Sequence, residues 1–118
     1  MKQIDRVRRI SLALPEAFEQ EAWGEPTFRV RKKLFAMYAD ADNHHGGGRD
    51  ALWCNAPPGA QEILVSCEPE KYFIPPYVGV KGWIGIILAN VDDAELEGLV
   101  AQSYCMIAPK KLQALVGG

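Results

Sequence analysis

Apolar side chains recur at helical spacing at the start of the chain. The stripe consists of Ile4, Val7, Ile10 and Leu14. A repeat of three or four residues predicts an amphipathic helix, and Pro15 ends it because the residue before a proline disfavours helical angles. Residues 16–26 show no clear period, so we interpret them as a connection with at most one turn of helix.

A repeat of two residues follows this connection. Phe28 and Val30 alternate with polar side chains in residues 27–31, which is the pattern of a half-buried strand. Two lysines then mark a turn. Residues 34–39 are apolar on both faces and are predicted to return as a second strand.

The rest of the chain predicts further strands and then helices. Strands are expected at residues 51–56, 72–74 and 83–88, and helical stripes run through residues 60–67, 96–107 and 112–115. Gly85 inside the last strand predicts a bulge or the close approach of another backbone. Asp92 and Glu95 match a capping box at the start of the longest of these helices. One helix, several antiparallel strands and then helices together predict an α+β fold.

Length and composition describe an ordinary globular domain. The chain has 118 residues, and we assign residues 1–118 to a single domain. Hydrophobic residues make up 48% and charged residues 24%, which excludes wholesale disorder. No apolar run approaches the roughly 20 residues of a membrane span, and the first residues lack the apolar core of a signal peptide. We therefore expect a cytoplasmic protein with no membrane partner.

Charge is distributed unevenly along the chain. Thirteen Lys and Arg against fifteen Asp and Glu give a net charge of −2. This balance counts against a dedicated nucleic-acid binder, because such domains are usually strongly basic. Residues 1–33, however, hold eight basic and five acidic side chains, a net charge of +3. The sequence therefore allows a local basic patch.

The cysteines and the common motifs point away from metal and catalytic chemistry. Cys54, Cys67 and Cys105 include no CxxC pair, so we interpret them as reduced thiols rather than a zinc or disulfide framework. The chain has no GxSxG, HExxH, P-loop or GxGxxG motif. Cys54 with His45 as its base is the weakest hypothesis considered. We assign no catalytic residue, metal or cofactor and favour a non-enzymatic role.

Four segments resemble the MmcQ/YjbR-like proteins in their order and spacing. They are WGEPTFRVRKKLFA (residues 23–36), EPEKYFIPPYVGVKGWIGIIL (68–88), the acidic start of the helix after them, and APKKL (108–112). The resemblance implies an N-terminal helix, a curved antiparallel sheet and C-terminal helices, often compared with the CyaY-like fold. It also implies DNA binding through hairpins in a double-wing arrangement, and it offers no agreed catalytic residues.

The hairpin predicted from the alternating pattern concentrates positive charge. Its cations are Arg29, Arg31, Lys32 and Lys33, and Lys110 and Lys111 near the end of the chain extend the set. Outward Arg and Lys side chains on a hairpin wing can reach phosphates or a groove of DNA. The same charges also suit a solvated strand edge that resists aggregation, so both interpretations stay open.

A second candidate site lies around the glycine-rich loop of residues 40–50. Its members are His44, His45, Arg49, Trp53 and Tyr77. This loop could close over a ligand, with Arg49 pairing an anionic group and the aromatic rings lining a pocket. A calcium loop is excluded because positions six and twelve, counted from Asp40, are His45 and Ala51 rather than Gly and Glu.

Two hypotheses of function remain. The domain contacts DNA through its basic hairpin, or it is a small-ligand-binding or protein-interaction module that uses the glycine-rich loop and the PPYVG loop, with an anionic small molecule or a protein as its partner. The first predicts that the cations gather on one positive face. The second predicts a concave site near His44, Arg49, Trp53 and Tyr77. The other aromatic residues suit either a pocket or the core, and they are Trp23, Tyr72, Phe73 and Trp83.

Overall fold

Six strands form one antiparallel sheet in the residues that the computed structural model describes, 2–41 and 48–116. The strands are β1 (Ala17–Ala22), β2 (Glu25–Val30), β3 (Lys33–Ala39), β4 (Ala51–Cys54), β5 (Tyr72–Phe73) and β6 (Ile84–Ile87). Their order across the sheet is β1-β2-β3-β4-β6-β5, and all neighbours run antiparallel. The first four strands therefore follow the chain, and β1 and β5 are the edges.

The helices of the described residues are α1 (Gln3–Leu12), α2 (Ala60–Cys67), α3 (Asp93–Ile107) and α4 (Lys110–Gln113), with 3₁₀ turns at Gly79–Lys81 and Leu88–Asn90. An N-terminal helix, an antiparallel sheet and C-terminal helices confirm the predicted α+β fold. None of these described helices is both long and apolar enough to cross a bilayer.

The main core lies between one face of the sheet and the helices. Alternate strand residues supply one side of it, among them Phe28, Val30, Leu52, Ile84 and Ile86. Leu96, Val100 and Tyr104 of α3 supply the other side and are at most 1% exposed. Each fully buried side chain of this size contributes roughly 1.5–3 kcal/mol to the free energy of folding. Burial of this layer therefore fixes which face of the sheet the helices cover, and the opposite face is left uncovered by them.

Strand β1 corrects the interpretation of residues 16–26 as a connection. It pairs with β2 along its whole length, from Ala17 opposite Val30 to Ala22 opposite Glu25. It is an edge strand in which Phe18, the single large apolar residue, is 39% exposed. An edge strand that buries few side chains shows little alternation, and this is why its sequence did not predict it.

A β-bulge anchors α3 to the sheet. The register between β2 and β3 skips Phe35, which lies between Leu34 and Ala36. The buried Ser103 hydroxyl of α3 donates a hydrogen bond to the Phe35 carbonyl at 2.7 Å. The Tyr104 ring meets the Phe35 ring edge-on, with 5.5 Å between centroids. The bulge is therefore a packing feature of the core.

Arg6 joins α1 to the segment before α3. Its guanidinium donates to the Asp93 carboxylate at 2.5 Å and to the carbonyls of Leu88 and Val91 at 2.7 and 2.5 Å. The Arg6 side chain is 14% exposed. It is therefore a structural cation that ties α1 to the start of α3.

The predicted capping box is half formed. The Asp92 carboxylate accepts the Glu95 N–H at 2.8 Å, as an N-cap should. The Glu95 carboxylate does not return to the cap but accepts hydrogen bonds from the Tyr72 hydroxyl and from Lys71 Nζ. The start of α3 is thereby tied to the edge strand β5.

Candidate functional site

The turn between β2 and β3 lies beside the end of α3, and together they form a groove of about 890 Å³. We call it the lysine groove, and it is lined by Arg31, Lys32, Lys33, Met106, Ile107, Ala108, Pro109 and Lys110. The fold thus brings three of the hairpin cations next to Lys110 from the far end of the chain. The wall supplied by α3 is apolar.

The charge of the lysine groove comes from its lysines. Lys32, Lys33 and Lys110 are exposed and make no ion pair within the described residues. Arg31 pairs with Glu16, with 2.9 Å between Nε and Oε1, so a carboxylate offsets its charge. Both partners have left-handed backbone angles, with φ of 57° for Arg31 and 59° for Glu16.

The two remaining predicted cations lie elsewhere. Lys111 is exposed on α4 but does not line the groove. Arg29 projects to the opposite face of the sheet, because its neighbours Phe28 and Val30 belong to the helix-facing core and strand residues alternate. Its Nε donates to Thr27 Oγ1 at 3.1 Å. The six cations therefore do not share one face.

The sheet face turned away from the helices carries a second apolar cluster, and we call it the open face. Its buried members are Met37, Ala39, Ala51, Trp53 and Trp83, with Leu34, Phe73 and Val78 packed against them. The described helices contribute no side chain to this cluster. The strand register places one row of residues across the face, namely Gln20, Thr27, Met37, Trp53, Gly85 and Phe73.

A pocket of about 400 Å³ opens on this row, and we call it the aromatic pocket. Its lining is Trp23, Met37, Trp53, Tyr77 and Val78. Met37 and Trp53 are buried floor residues, whereas Trp23 and Tyr77 are 65% and 74% exposed. Small-molecule sites are typically apolar and have volumes of about 300–1,000 Å³, so this pocket has the size and the character of a ligand site.

Both exposed residues of the aromatic pocket have left-handed backbone angles, with φ of 56° at Trp23 and 64° at Tyr77. Trp23 and Gly24 are the two residues of the β1–β2 turn, and both have positive φ, as a type I′ turn requires. Asn-Gly suits such a turn best, and a bulky side chain there costs on the order of 1 kcal/mol. An exposed ring recovers little of this conformational cost through burial. Backbone strain of this kind is concentrated at functional sites.

The structure brings together part of the predicted ligand site. Trp53 and Tyr77 both line the aromatic pocket. Arg49 instead lies over the Phe73 ring, with Cζ 4.7 Å from the centroid, at the end of the row that contains Trp53. His44 and His45 lie outside the described residues.

The sequence did not predict two residues of the aromatic pocket, and it assigned a third residue to no particular site. Met37 and Val78 were not proposed, because an apolar side chain in a strand or loop carries no chemical signature. Trp23 was noted only as one of several aromatic residues. Its signal was the Trp23-Gly24 pair, which indicates a two-residue hairpin once β1 is recognised as a strand.

The position of Cys54 bears on the hypothesis that its thiol is a nucleophile. Burial raises the pKa of the Cys54 thiol to about 12, and the side chain belongs to the helix-facing core. A nucleophilic cysteine needs a thiolate and access to a substrate, so this position argues against Cys54 as a nucleophile. In residues 2–41 and 48–116, no group of three or more His, Cys, Asp or Glu could hold a metal ion.

Comparison with known proteins concerns the family and the fold. The family model described as YjbR matches residues 12–106. The crystal structure of Deinococcus radiodurans protein DR2400, with a DUF419 domain, is similar at a TM-score of 0.77 and 19% identity, over 99% of this chain and 89% of that one. At this identity the likeness shows the fold alone. No curated protein matches the chain.

Proposed function

This chain belongs to the YjbR family, and we propose that it binds DNA through phosphates held in the lysine groove. The observation that supports this function is the gathering of Lys32, Lys33 and Lys110 around one groove, with no ion pair to any described carboxylate. Neutralising phosphates with such side chains supplies most of the sequence-independent affinity for DNA. Lysine contacts to phosphates position the DNA backbone and carry no sequence information of their own.

The expected affinity is low and depends on salt. Each phosphate neutralised contributes about −0.9 to the slope of log K against log salt, so three lysines give a slope of about −2.7. A threefold rise in salt then weakens binding roughly twentyfold. The net charge of −2 on the whole chain opposes the approach of DNA, which favours weak and local contact over tight binding.

A titration of fluorescently labelled duplex DNA, followed by anisotropy at about 25 to 200 mM NaCl, tests this function. Lys33→Ala should weaken binding several-fold for every duplex and reduce the salt slope by about one. Lys81→Ala is the matched control, because it removes the same charge from an exposed site outside the groove. A Kd above about 1 mM at the lowest salt, or equal losses in the two variants, contradicts the proposal.

A second function is favoured by a separate observation. Trp53 and Tyr77, predicted from the sequence as ligand-binding residues, line one pocket together with Trp23. We therefore also propose that the open face binds a small ligand in the aromatic pocket. Trp23 of this pocket lies in the turn before β2, whereas Arg31 and Lys32 of the lysine groove lie in the turn after it. Ligand binding that survives Lys33→Ala but not the loss of Trp23 supports this function independently of DNA.

A further inference from the structure

We infer that the aromatic pocket takes a small planar aromatic molecule that carries a carboxylate or a phosphate. Its ring would lie between Trp23 and Tyr77 above Met37, and its anionic group would pair with Arg29. This inference rests on the ligand-binding function proposed for the pocket and adds the chemical class of the ligand.

The planar part of the ligand follows from the pocket walls. Trp23 comes from the β1–β2 turn and Tyr77 from the segment before β6, and both rings are more exposed than buried. Met37 and Trp53 close the pocket from below. Aromatic faces favour offset or edge-to-face contact with another ring. A flat ring system is therefore the group that covers these surfaces most completely.

The anionic part follows from Arg29. Its side chain is half-buried on the open face and makes no ion pair within the described residues. Its Nε donates to Thr27 Oγ1, and Thr27 is the register partner of Met37 in the pocket floor. The guanidinium thus folds back along β2 toward the row that floors the pocket. Most of its five N–H donors stay available for a carboxylate or phosphate.

The other charges around the open face agree with an anionic ligand. Glu25 is on the same strand and the same face as Arg29, but it is 3% exposed and its Oε2 accepts the Asp40 N–H at 2.7 Å. Arg49 lies over Phe73 at the other end of the row and adds a second positive charge. A cationic ligand would meet both arginines, so we infer an anion.

Three probes with the same ring test the class of ligand. They are 2-naphthoate, 2-naphthyl phosphate and neutral 2-naphthalenemethanol, titrated into ¹⁵N-labelled protein while the indole N–H signals are followed. Shifts should concentrate on Trp23 and Trp53 and spare Trp83, which does not line the pocket. The two anions should bind about tenfold more tightly than the alcohol, as one charge-assisted pair predicts. Their relative affinities distinguish a carboxylate ligand from a phosphate ligand.

Two variants separate the ring from the anion. Trp23→Asn removes the ring and keeps a turn that Asn-Gly favours, so it should fold as well as the parent and lose all three probes. Arg29→Gln should remove the tenfold preference for anions and leave the neutral probe unaffected. Lys111→Gln, exposed on α4 and outside the lining of both sites, is the matched charge control and should change none of these affinities.

The outcomes distinguish the inference from the function on which it rests. If the alcohol binds and Trp23→Asn abolishes its binding, but the anions bind no better, then the pocket stands and the anionic class is overturned. If no probe shifts the indole signals of Trp23 or Trp53 at millimolar concentration, the inferred ligand class and the proposed ligand-binding function are both overturned. A Trp23 signal that moves with protein concentration alone would show a second copy in the pocket and would also overturn the inference.

Discussion

The ring of Phe73 lies directly over Gly85 of the neighbouring strand. A Cβ at Gly85 would come within 2.4 Å of Phe73 Cζ, so only glycine leaves room for the ring. The sequence marked this glycine for a bulge or the approach of another backbone, and the structure shows a side chain instead. Since Phe73 also carries Arg49 on its face, Gly85 determines how the row across the open face ends.

Replacing Gly85 with alanine should therefore disturb the open face. The new methyl group must displace Phe73, and overpacking of this kind costs about 1–3 kcal/mol. Urea unfolding measures the loss, and the ring signals of Phe73 should shift. Gly98→Ala is the matched control, because its Cβ would meet nothing within 4 Å in α3. It should stabilise the helix by about 0.5–1 kcal/mol. Equal effects of the two changes would contradict the packing argument.

Asp93→Asn should lower the free energy of unfolding at neutral pH, and the loss should shrink as the pH falls. Hydrogen bonds from Arg6 and then Arg9 hold the pKa of Asp93 below its ordinary value of 3.8. A carboxyl group with a lowered folded-state pKa contributes stability above its unfolded value and loses it as pH falls through the folded value. The gap in unfolding free energy between parent and variant should therefore be constant near neutrality and shrink below about pH 4.

Urea unfolding of both proteins from neutral pH to about pH 3 measures this gap. Asp92→Asn is the control, because it removes the same charge while asparagine caps a helix as well as aspartate does. It should stay within about 0.5 kcal/mol of the parent. A gap for Asp93→Asn that is independent of pH down to the lowest value would rule out the ion pair as its cause.

Ser103→Ala should destabilise the contact between α3 and the bulge. The hydroxyl is fully buried and donates to the Phe35 carbonyl, and loss of such a bond costs about 1–3 kcal/mol. Chemical denaturation measures the effect. Ser66→Ala is the comparison, because Ser66 is exposed and its hydroxyl bonds to a carbonyl of its own helix, α2. If Ser66→Ala costs as much as Ser103→Ala, the buried bond has no special weight.

The cysteines should differ in reactivity. Cys67 is exposed on α2, whereas Cys54 is buried and its pKa is raised to about 12 by burial. Iodoacetamide at about pH 8 should therefore label Cys67 in the native protein and spare Cys54. Mass spectrometry of digested protein locates the label, and denatured protein serves as the fully labelled reference. Native labelling of Cys54 at the rate of Cys67 would contradict the structure.

The two proposed functions occupy different ends of one strand. Trp23 comes just before β2, and Arg31 comes just after it. The aromatic pocket opens on the open face, and the lysine groove uses the end of α3, which packs on the other face. A variant at one site is thus a control for the other, and DNA binding and ligand binding can be tested in the same protein.

Much of the fold could be predicted from local pattern. The stripe that contains Val7 and Ile10 predicted α1, and Asp92 with its acidic neighbours predicted the start of α3. The alternation of Phe28 and Val30 predicted β2. These elements are strongly periodic or capped by side chains close in sequence, so few residues suffice to specify them. β1 escaped prediction because a polar edge strand has neither feature.

The candidate sites were predictable only in their residue types. The sequence identified the cations of the hairpin and the aromatic residues Trp53 and Tyr77 as groups capable of binding. It could not show that Glu16 pairs with Arg31 or that Arg29 lies on the other face. The first contact depends on the neighbouring strand β1, and the second on which face of the sheet the helices cover.

The sequence by itself determined the α+β class, most elements and the presence of a cationic turn, because periodicity and capping act over a few residues. Tertiary structure alone decided that Lys110 joins Lys32 and Lys33 around one groove, and that Trp23 and Tyr77 line one pocket. Such contacts depend on strand order and register, and a shift of one residue turns every side chain of a strand to the other face. No local pattern contains that information.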